Sequence, residues 1–528
     1  MAKGYRPVDR DQPFLLPPDM RQWLPAGHAV WLVIEAVRRL DTAAFHARRR
    51  TGGAGAAGYD PDMLLTLLVW AYANGITSSR RIERLCQQDV AFRVICAGHV
   101  PDHVTVARFR QQFAETAAAL FAQVLVLCAR LGMGQVGTVA IDGTKVAADA
   151  AAGASRTEEG LVKLAAEMAA RHAAADAEED ALFGKGKRGD DDPGDPFTRA
   201  ERVAAALASL REEREAREAA ERAAAEENLQ AARAGTPRDG RPPAGAEAEA
   251  ARIALERETA AARARVAAAQ ARRAAGAGRG AGRRPVPPED SARVRRAAAR
   301  LEKALARDTG RRAAAGNREP ARRNVTDPGS RLMPVRGGGF IQGYNAQNVT
   351  TEDGLVIATR LTQDTTDTRW YQPMTSAAVA AAAAMAAAGG PGDGTVGLVL
   401  ADAGYLSEAN LAGPGPDRLI ATGKRRDLEK TARTADGADS GGREESSAIA
   451  AMAARLATED GIAAYRRRSH IGETFHGDIK HNQGIRRLTV RGLPKASGEW
   501  TFAAAARNLR KAITSGHLTT AALAALNG

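Results

Sequence analysis

A chain of 528 residues is longer than one ordinary hydrophobic core, so two or more domains are expected. Its 75 Lys and Arg against 62 Asp and Glu leave a formal charge of +13, which favours a polyanionic partner, nucleic acid first and an acidic membrane surface second. No run reaches the roughly 18–20 uninterrupted apolar residues of a membrane span, the start MAKGYRPVDRDQPF has no apolar signal core, and Cys86, Cys96 and Cys128 form no C-x-x-C pair, so a membrane protein, an exported protein and a disulfide or zinc-ribbon scaffold are all set aside in favour of a cytoplasmic chain.

The first 130 residues read as a compact all-α unit. PDMLLTLLVWAYANG has Pro61 near its start and Gly75 as a stop, bracketing an apolar helix, and SSRRIERLCQQ begins a second helix capped by Ser78 or Ser79. DVAFRVIC and DHVTVARFRQQFAETAAALFAQVLVLCARLG add at least two more. Helix, Gly-containing turn and basic helix fit a helix-turn-helix that presents Arg80, Arg81 and Arg84 to DNA; a solvated face of a helical packing unit explains the same arginines.

VGTVAID then reads as a strand ending at Asp142, after which composition changes. From about 151 to 335 the chain is Ala, Arg, Glu and Gly with few large apolar residues, as in RVAAALASLREEREAREAAERAAAEENLQAARA. High helix propensity and frequent i to i+4 charge pairs predict long exposed helices, including an antiparallel hairpin, without a second globular core. GKGKRGDDDPGDP, AGTPRDGRPPAG and GAGRGAGRRPVPP separate them as flexible segments.

Beyond this insertion the order is strand FIQGYNAQNVTT, strand GLVIATRLTQ, helix MTSAAVAAAAAMAAA, strand TVGLVLAD ending at Asp402, short helix LSEANLA, strand RLIATG and final helices. The fold class is therefore α/β: a mixed-sheet core that is discontinuous over 131–150, 336–425 and 460–515, an N-terminal all-α domain (1–130), a long helical insertion (151–335), a small polar insertion or linker (426–459) and a tail (516–528).

Asp142 and Asp402 are each placed at the carboxyl end of an apolar strand, where open α/β sheets hold ligands. Glu473 comes from the late stretch YRRRSHIGETFHGDIK, Tyr465 to Lys480. At about 100° per residue a seven-residue step returns to nearly the same helix face, so Glu473 and Lys480 are expected on one side. Three carboxylates from separate elements supply hard oxygen ligands to two Mg²⁺ or Mn²⁺ ions, and two such ions stabilise the attacking and leaving oxygens of an in-line phosphoryl displacement. Arg468 and Lys480 are expected to face nucleic-acid phosphate, as is Lys145 in DGTK.

AIDGTKVAADA, QGYNAQNVTTEDGLVIATRLTQDTTDTRWYQPM, LADAGYLSEANL and GETFHGDIKHNQGIRRLTVRGLPKASGEWTFAAAARNLRKA resemble the DDE transposases of bacterial insertion sequences, most nearly the IS1182 family within the IS4 and IS5 assemblage. The likeness extends to PFLLPPDMRQWLPAGHAVWLVIEAV and the helices near Pro61 to Phe113, and excludes the insertion. It implies an RNase H-like catalytic core with Asp142, Asp402 and Glu473 as metal-binding triad, and an enzyme, a polynucleotidyl transferase and endonuclease, that cuts the element's terminal inverted repeats and joins them to target DNA. A homo-oligomer on DNA, at least a dimer, follows from holding two ends together. The family-type pattern of Tyr, two residues, Arg, three residues, Glu, six residues, Lys is met at Tyr465, Arg468, Glu473 and Lys480, except that four residues separate Arg468 from Glu473; Arg467 or a shifted helix register answers that departure. Arg491 is a further DNA contact in the same segment.

Several residues have rival readings. Asp149, Asp364 and Asp367 are competing carboxylates, of which Asp367 is expected nearest the site. His470, Glu473 and His476 do not have the i, i+4 histidine spacing of a helical zinc site, and His476 and His481 are read as phosphate contacts or solvent-facing. Trp370 and Trp500 stack on bases or pack in the core; Asn345 and Gln347 line either the site or a plain sheet face. A nuclease without strand transfer, a decayed DNA-binding repressor and a basic helical scaffold are the alternative functions.

Overall fold

The computed structural model describes residues 19–48, 58–183, 199–236, 243, 245–274, 285–316, 320–335, 337–423 and 447–526. The Gly/Pro segment 184–196, most of 234–245, residues 276–284 and the polar stretch 426–446 lie outside these. The chain divides into two compact units, one of Met1–Ala154 with Thr326–Gly528, the other of Ser155–Val325.

In the first unit, Asp60 caps the helix Pro61–Ala73, Ser78 caps Ser79–Gln88, and Gly75 turns between them at φ 72°, a conformation costly for any residue with a Cβ. Helices Val90–Ile95, His103–Gln111 and Phe113–Arg130 follow. Phe113–Arg130 is long and apolar enough to cross a membrane, but Phe113, Leu120, Val124 and Cys128 are buried in the core, where the helix packs against Leu493–Thr514 near the other end of the chain. Phe113 stacks on Phe502 at 3.9 Å between ring centroids, with Tyr72 edge-on to Phe502 at 5.1 Å. Each such buried aromatic contributes on the order of 2–3 kcal/mol. Residues from both ends of the sequence thus share one core.

A mixed sheet lies in the same unit. Strand β1 is Thr138–Ala147; β2 (Ser155–Thr157) and β3 (Arg322–Asn324) belong to the second unit; β4 is Arg331–Pro334, β5 Phe340–Thr351, β6 Val356–Thr362, β7 Leu398–Ala401 and β8 Asp417–Ile420. The main order is β6-β5-β1-β7-β8, with β4 paired to the start of β5. The β6-β5 and β5-β1 pairs are antiparallel, β1-β7 and β7-β8 parallel. One expectation is corrected: β1 does not end at Asp142 but continues to Ala147, because β5 pairs with it as far as Ala147↔Gly343. The long-range ladder carries the strand through Gly143, which pairs with Gln347.

The second unit consists of helices Glu158–Phe183, Arg199–Ala234, Ala246–Ala274 and Ala292–Gly316, with β2 and β3 antiparallel at its base. The sequence predicts no core here, yet Leu161, Val203, Ala206, Leu210 and Val325 form a small one. A few large apolar residues suffice because alanine lets the helices approach closely.

Candidate active site

The last registered pair between the parallel strands is Ala140↔Leu400. Asp142 and Asp402 each lie two residues further on, so the period-two alternation of extended chain brings both to the same face. Asp142 Oδ1 accepts the Gly143 N–H at 3.0 Å, and Asp402 Oδ1 accepts the Gly404 N–H at 2.9 Å. Over them runs Glu459–Arg468, continued by a π-helical turn Ser469–Glu473, a short α turn Thr474–Gly477 and a second π turn Asp478–Asn482. Ile471, Phe475 and Ile479 anchor this helix in the interior, and Gly472 lies against Ala140 and Asp142.

The first π turn answers the irregular spacing in the sequence. An α turn brings i+4 beside i, whereas a π turn closes at i+5. Arg468 and Glu473 are five apart, and Arg468 Nη2 lies 3.3 Å from Glu473 Oε1, with Nη1 3.9 Å from Asp142 Oδ1. The shifted register, not Arg467, restores the pairing: Arg467 makes an ion pair with Glu352 instead. Tyr465 donates to Ala401 O at 3.3 Å, fastening the helix to β7.

Burial dominates the electrostatics. It pushes the Asp142 carboxyl up to about 7, opposed by Arg468 and reinforced by Asp402 and Glu473. Asp402 is raised for the same first reason, again opposed by Arg468. His476, whose Nε2 is 3.6 Å from Asp142 Oδ2, is held neutral by burial and by the charges of Lys480 and Arg468, down to about 3. Both of its ring nitrogens and Arg468 Nη1 lack a hydrogen-bond partner. His470 and His481 are exposed.

A fourth carboxylate is present. Asp367 Oδ1 accepts from Asn345 Nδ2 and Gln347 Nε2, each at 2.6 Å, and lies 3.7 Å from Lys145 Nζ. Tyr405 donates to the Oε1 of Gln347. Gly143 is what admits Asp367 to this place: a Cβ there would stand 2.7 Å from Asp367 Oδ1. At Gly404, a Cβ would be 3.0 Å from Asp402 Oδ1 and 3.3 Å from Asp367 Oδ2, so the two carboxylates flank one point. The signal in the sequence was the pair of amides two apart on β5, Asn345 and Gln347, which share a strand face.

Other expected contacts fall differently. Lys480 Nζ turns inward to Thr144 Oγ1 at 2.5 Å and Lys145 O at 2.8 Å, and Lys145 Nζ donates to Thr365 O at 3.0 Å. Burial lowers the pKa of both amines. Arg491 is ion-paired with Asp149 at 2.8 Å. Asp364 accepts from Trp370 Nε1 at 2.8 Å, and Trp500 is fully buried, donating to Thr359 Oγ1 at 2.9 Å. Arg80, Arg81 and Arg84 are exposed on Ser79–Gln88.

Asp142, Asp402 and Glu473 offer only hard oxygen donors, a set that suits Mg²⁺ or Mn²⁺. Arg468 stands between Asp142 and Glu473 as their counter-charge, and the three carboxylates are not drawn together as closely as a compact ligand shell. Among the described residues the one trio with ligand atoms all within 4.8 Å is His46, Asp60 and Asp62, explained by the Asp60 cap and a His46–Asp62 pair at 3.0 Å.

A transposase domain family (DUF772) matches residues 18–112, and a transposase DDE domain family matches residues 431–513. The first stretch contains Arg80, Arg81 and Arg84, the second Tyr465, Arg468, Glu473, Lys480 and Arg491; Asp142 and Asp402 lie outside both. No curated protein and no solved structure matches the chain. Both matched stretches are thus similar to transposase domains.

Proposed function

We propose that this chain is an insertion-sequence transposase of the IS1182 type, cleaving the element's terminal repeats and joining the freed 3′ ends to target DNA on an RNase H-like core. The observation that carries the reading is the pairing of Asp142 with Asp402 at the point where β1 and β7 stop pairing, beneath the helix bearing Glu473. The sheet order, with an antiparallel β6-β5-β1 ribbon joined to parallel β7 and β8, supports it.

Asp142, Asp402 and Glu473 would hold two Mg²⁺ or Mn²⁺ ions. Bound there, the ions supply charge to the attacking and leaving oxygens of an in-line phosphoryl transfer. The chain's own groups do the rest. Arg468 and His476, with unpartnered buried nitrogens beside Asp142, are placed to hydrogen-bond a phosphate oxygen brought to the site. Lys480 and Lys145 tie β1 to the helix and to the 365 loop, fixing Asp142 in place. Arg80, Arg81, Arg84 and Arg491 are the outer DNA contacts, and two copies hold two ends in the bacterial cytoplasm.

The test is cleavage of labelled element ends in Mg²⁺ beside gel-shift binding for Asp142→Asn, Asp402→Asn and Glu473→Gln. Each keeps its shape but loses the charge a hard ion requires, so binding should persist while cleavage and joining fall by at least about 100-fold, on the order of 3 kcal/mol. Near-normal cleavage by Glu473→Gln together with its loss in Asp367→Asn would move the site to Asp367 and sink this assignment.

A further inference from the structure

Helices Ala246–Ala274 and Ala292–Gly316 of the second unit pack together, and their charges are distributed unevenly. Glu247 pairs with Arg307 and Arg311, and Ala248 N–H donates to Asp308, so the helices run antiparallel. Equal steps of about 1.5 Å per residue along both from that level bring Arg263 opposite Arg293, roughly 24 Å away. Buried Ala262 and Ala297 agree with this alignment.

At the Glu247 end, residues 246–262 and 301–316 hold six carboxylates and six Lys or Arg, several of them ion-paired. At the other end, residues 263–274 and 285–300 hold eight Arg and two carboxylates. Arg263, Arg265, Arg272, Arg273, Arg293 and Arg296 are all exposed there, and none has an ion-pair partner among the described residues. Arg296 spends only one N–H, on Ala292 O.

We infer that this end of the helical hairpin is a docking surface for the phosphate backbone of duplex DNA, read without regard to sequence. The inference rests on the chain acting on DNA, and it gives the insertion a role that the carboxylate site does not need. Unpaired like charges held this close repel one another, a cost that a polyanion relieves. All the cations are guanidinium forks, which bind phosphate oxygens in pairs. Residues 263–274 and 285–300 have Val266, Val286 and Val294 as their only large apolar side chains and no aromatic, so the aromatic or long aliphatic anchor of an apolar protein interface or of insertion into a lipid surface is missing.

The experiment uses the full chain. Binding of a labelled random-sequence duplex is followed by fluorescence anisotropy over a KCl series for the parent and for R263Q/R265Q/R293Q/R296Q. The slope of log affinity against log salt should become shallower by about 0.9 for each phosphate that is no longer engaged, roughly 3 to 4 in all. Replacing the same four by Lys should retain the slope, and R272Q/R273Q, in the last turn of its helix, should make it shallower by about 1.8. Circular dichroism checks that helix content is unchanged. Unaltered affinity and slope in both Gln variants would overturn the inference, as would abolished binding to phosphatidylserine vesicles with duplex binding intact. Because no chemistry is read, a failed patch leaves the cleavage reading standing, and a chain that binds through the patch but cuts no ends loses only that reading.

Discussion

At the scale of single residues, the contact between Asp142 and His476 has opposing consequences for stability in the metal-free protein. Burial raises Asp142 from its ordinary 3.8 to about 7, so the folded chain keeps a proton that the unfolded chain has lost. That contribution is full below about pH 3.8 and fades as pH rises through 7. His476 is the reverse: lowered from 6.5 to about 3, it contributes fully above pH 6.5 and loses its contribution as pH falls. Between these limits the two slopes oppose. Urea unfolding in chelator should therefore show a rise in stability with pH for Asp142→Asn, and a fall for His476→Asn, each approaching about 1.4 kcal/mol per pH unit relative to the parent. Identical pH profiles for the parent and both variants would dismiss the buried neutral pair. That Asp142 and Asp402 come to neighbouring strand ends was legible from residue types and apolar runs; that Lys145 and Lys480 turn inward was not, because the exposure of a cation depends on partners hundreds of residues away, such as Thr365 for Lys145 and Thr144 for Lys480.

At the scale of the element, the helix that carries Glu473 shows where sequence periodicity stops. Helices with a clear start and stop, such as Pro61–Ala73 between the Asp60 cap and Gly75, follow their signals closely. A π turn leaves no such signal, since one added residue looks like a misfit in the Tyr, Arg, Glu, Lys spacing rather than a wider turn. If the turn Ser469–Glu473 absorbs that residue, removing Ser469 should let an ordinary α turn form with Arg468 still beside the glutamate. The expected result is a melting temperature within a few degrees of the parent and end cleavage within about tenfold, against the loss of at least about 100-fold expected for Glu473→Gln. A deletion as inactive as Glu473→Gln would show that the wide turn itself is needed. The strand β4 and the continuation of β1 past Gly143 were likewise illegible, both being held by pairing with the distant β5.

At the scale of the whole molecule, the change from helical to strand-like sequence marks a boundary near residue 130, but the buried contacts of the first unit cross it. Glu499, on Leu493–Thr514, accepts from Tyr72 at 2.6 Å, from Thr489 N–H at 2.7 Å and from Thr489 Oγ1 at 2.5 Å, joining helices at opposite ends of the chain. Glu499→Ala strands these buried donors and should cost on the order of 2–4 kcal/mol. Unfolding followed by the fluorescence of the adjacent buried Trp500 and by circular dichroism should shift together; an N-terminal transition that stays in place while Trp500 moves would contradict one shared core. The second unit obeys a different logic. It begins and ends on the antiparallel pair β2 and β3, with Asn324 Nδ2 3.2 Å from Ser155 Oγ, so its two termini meet. Closure entropy grows only slowly with the length of a loop, and a segment whose ends already touch is almost free to change size. In genetic terms it is built as a cassette: lengthening it, exchanging it or trimming it to a short turn in frame would leave the order of the sheet strands on either side as it was.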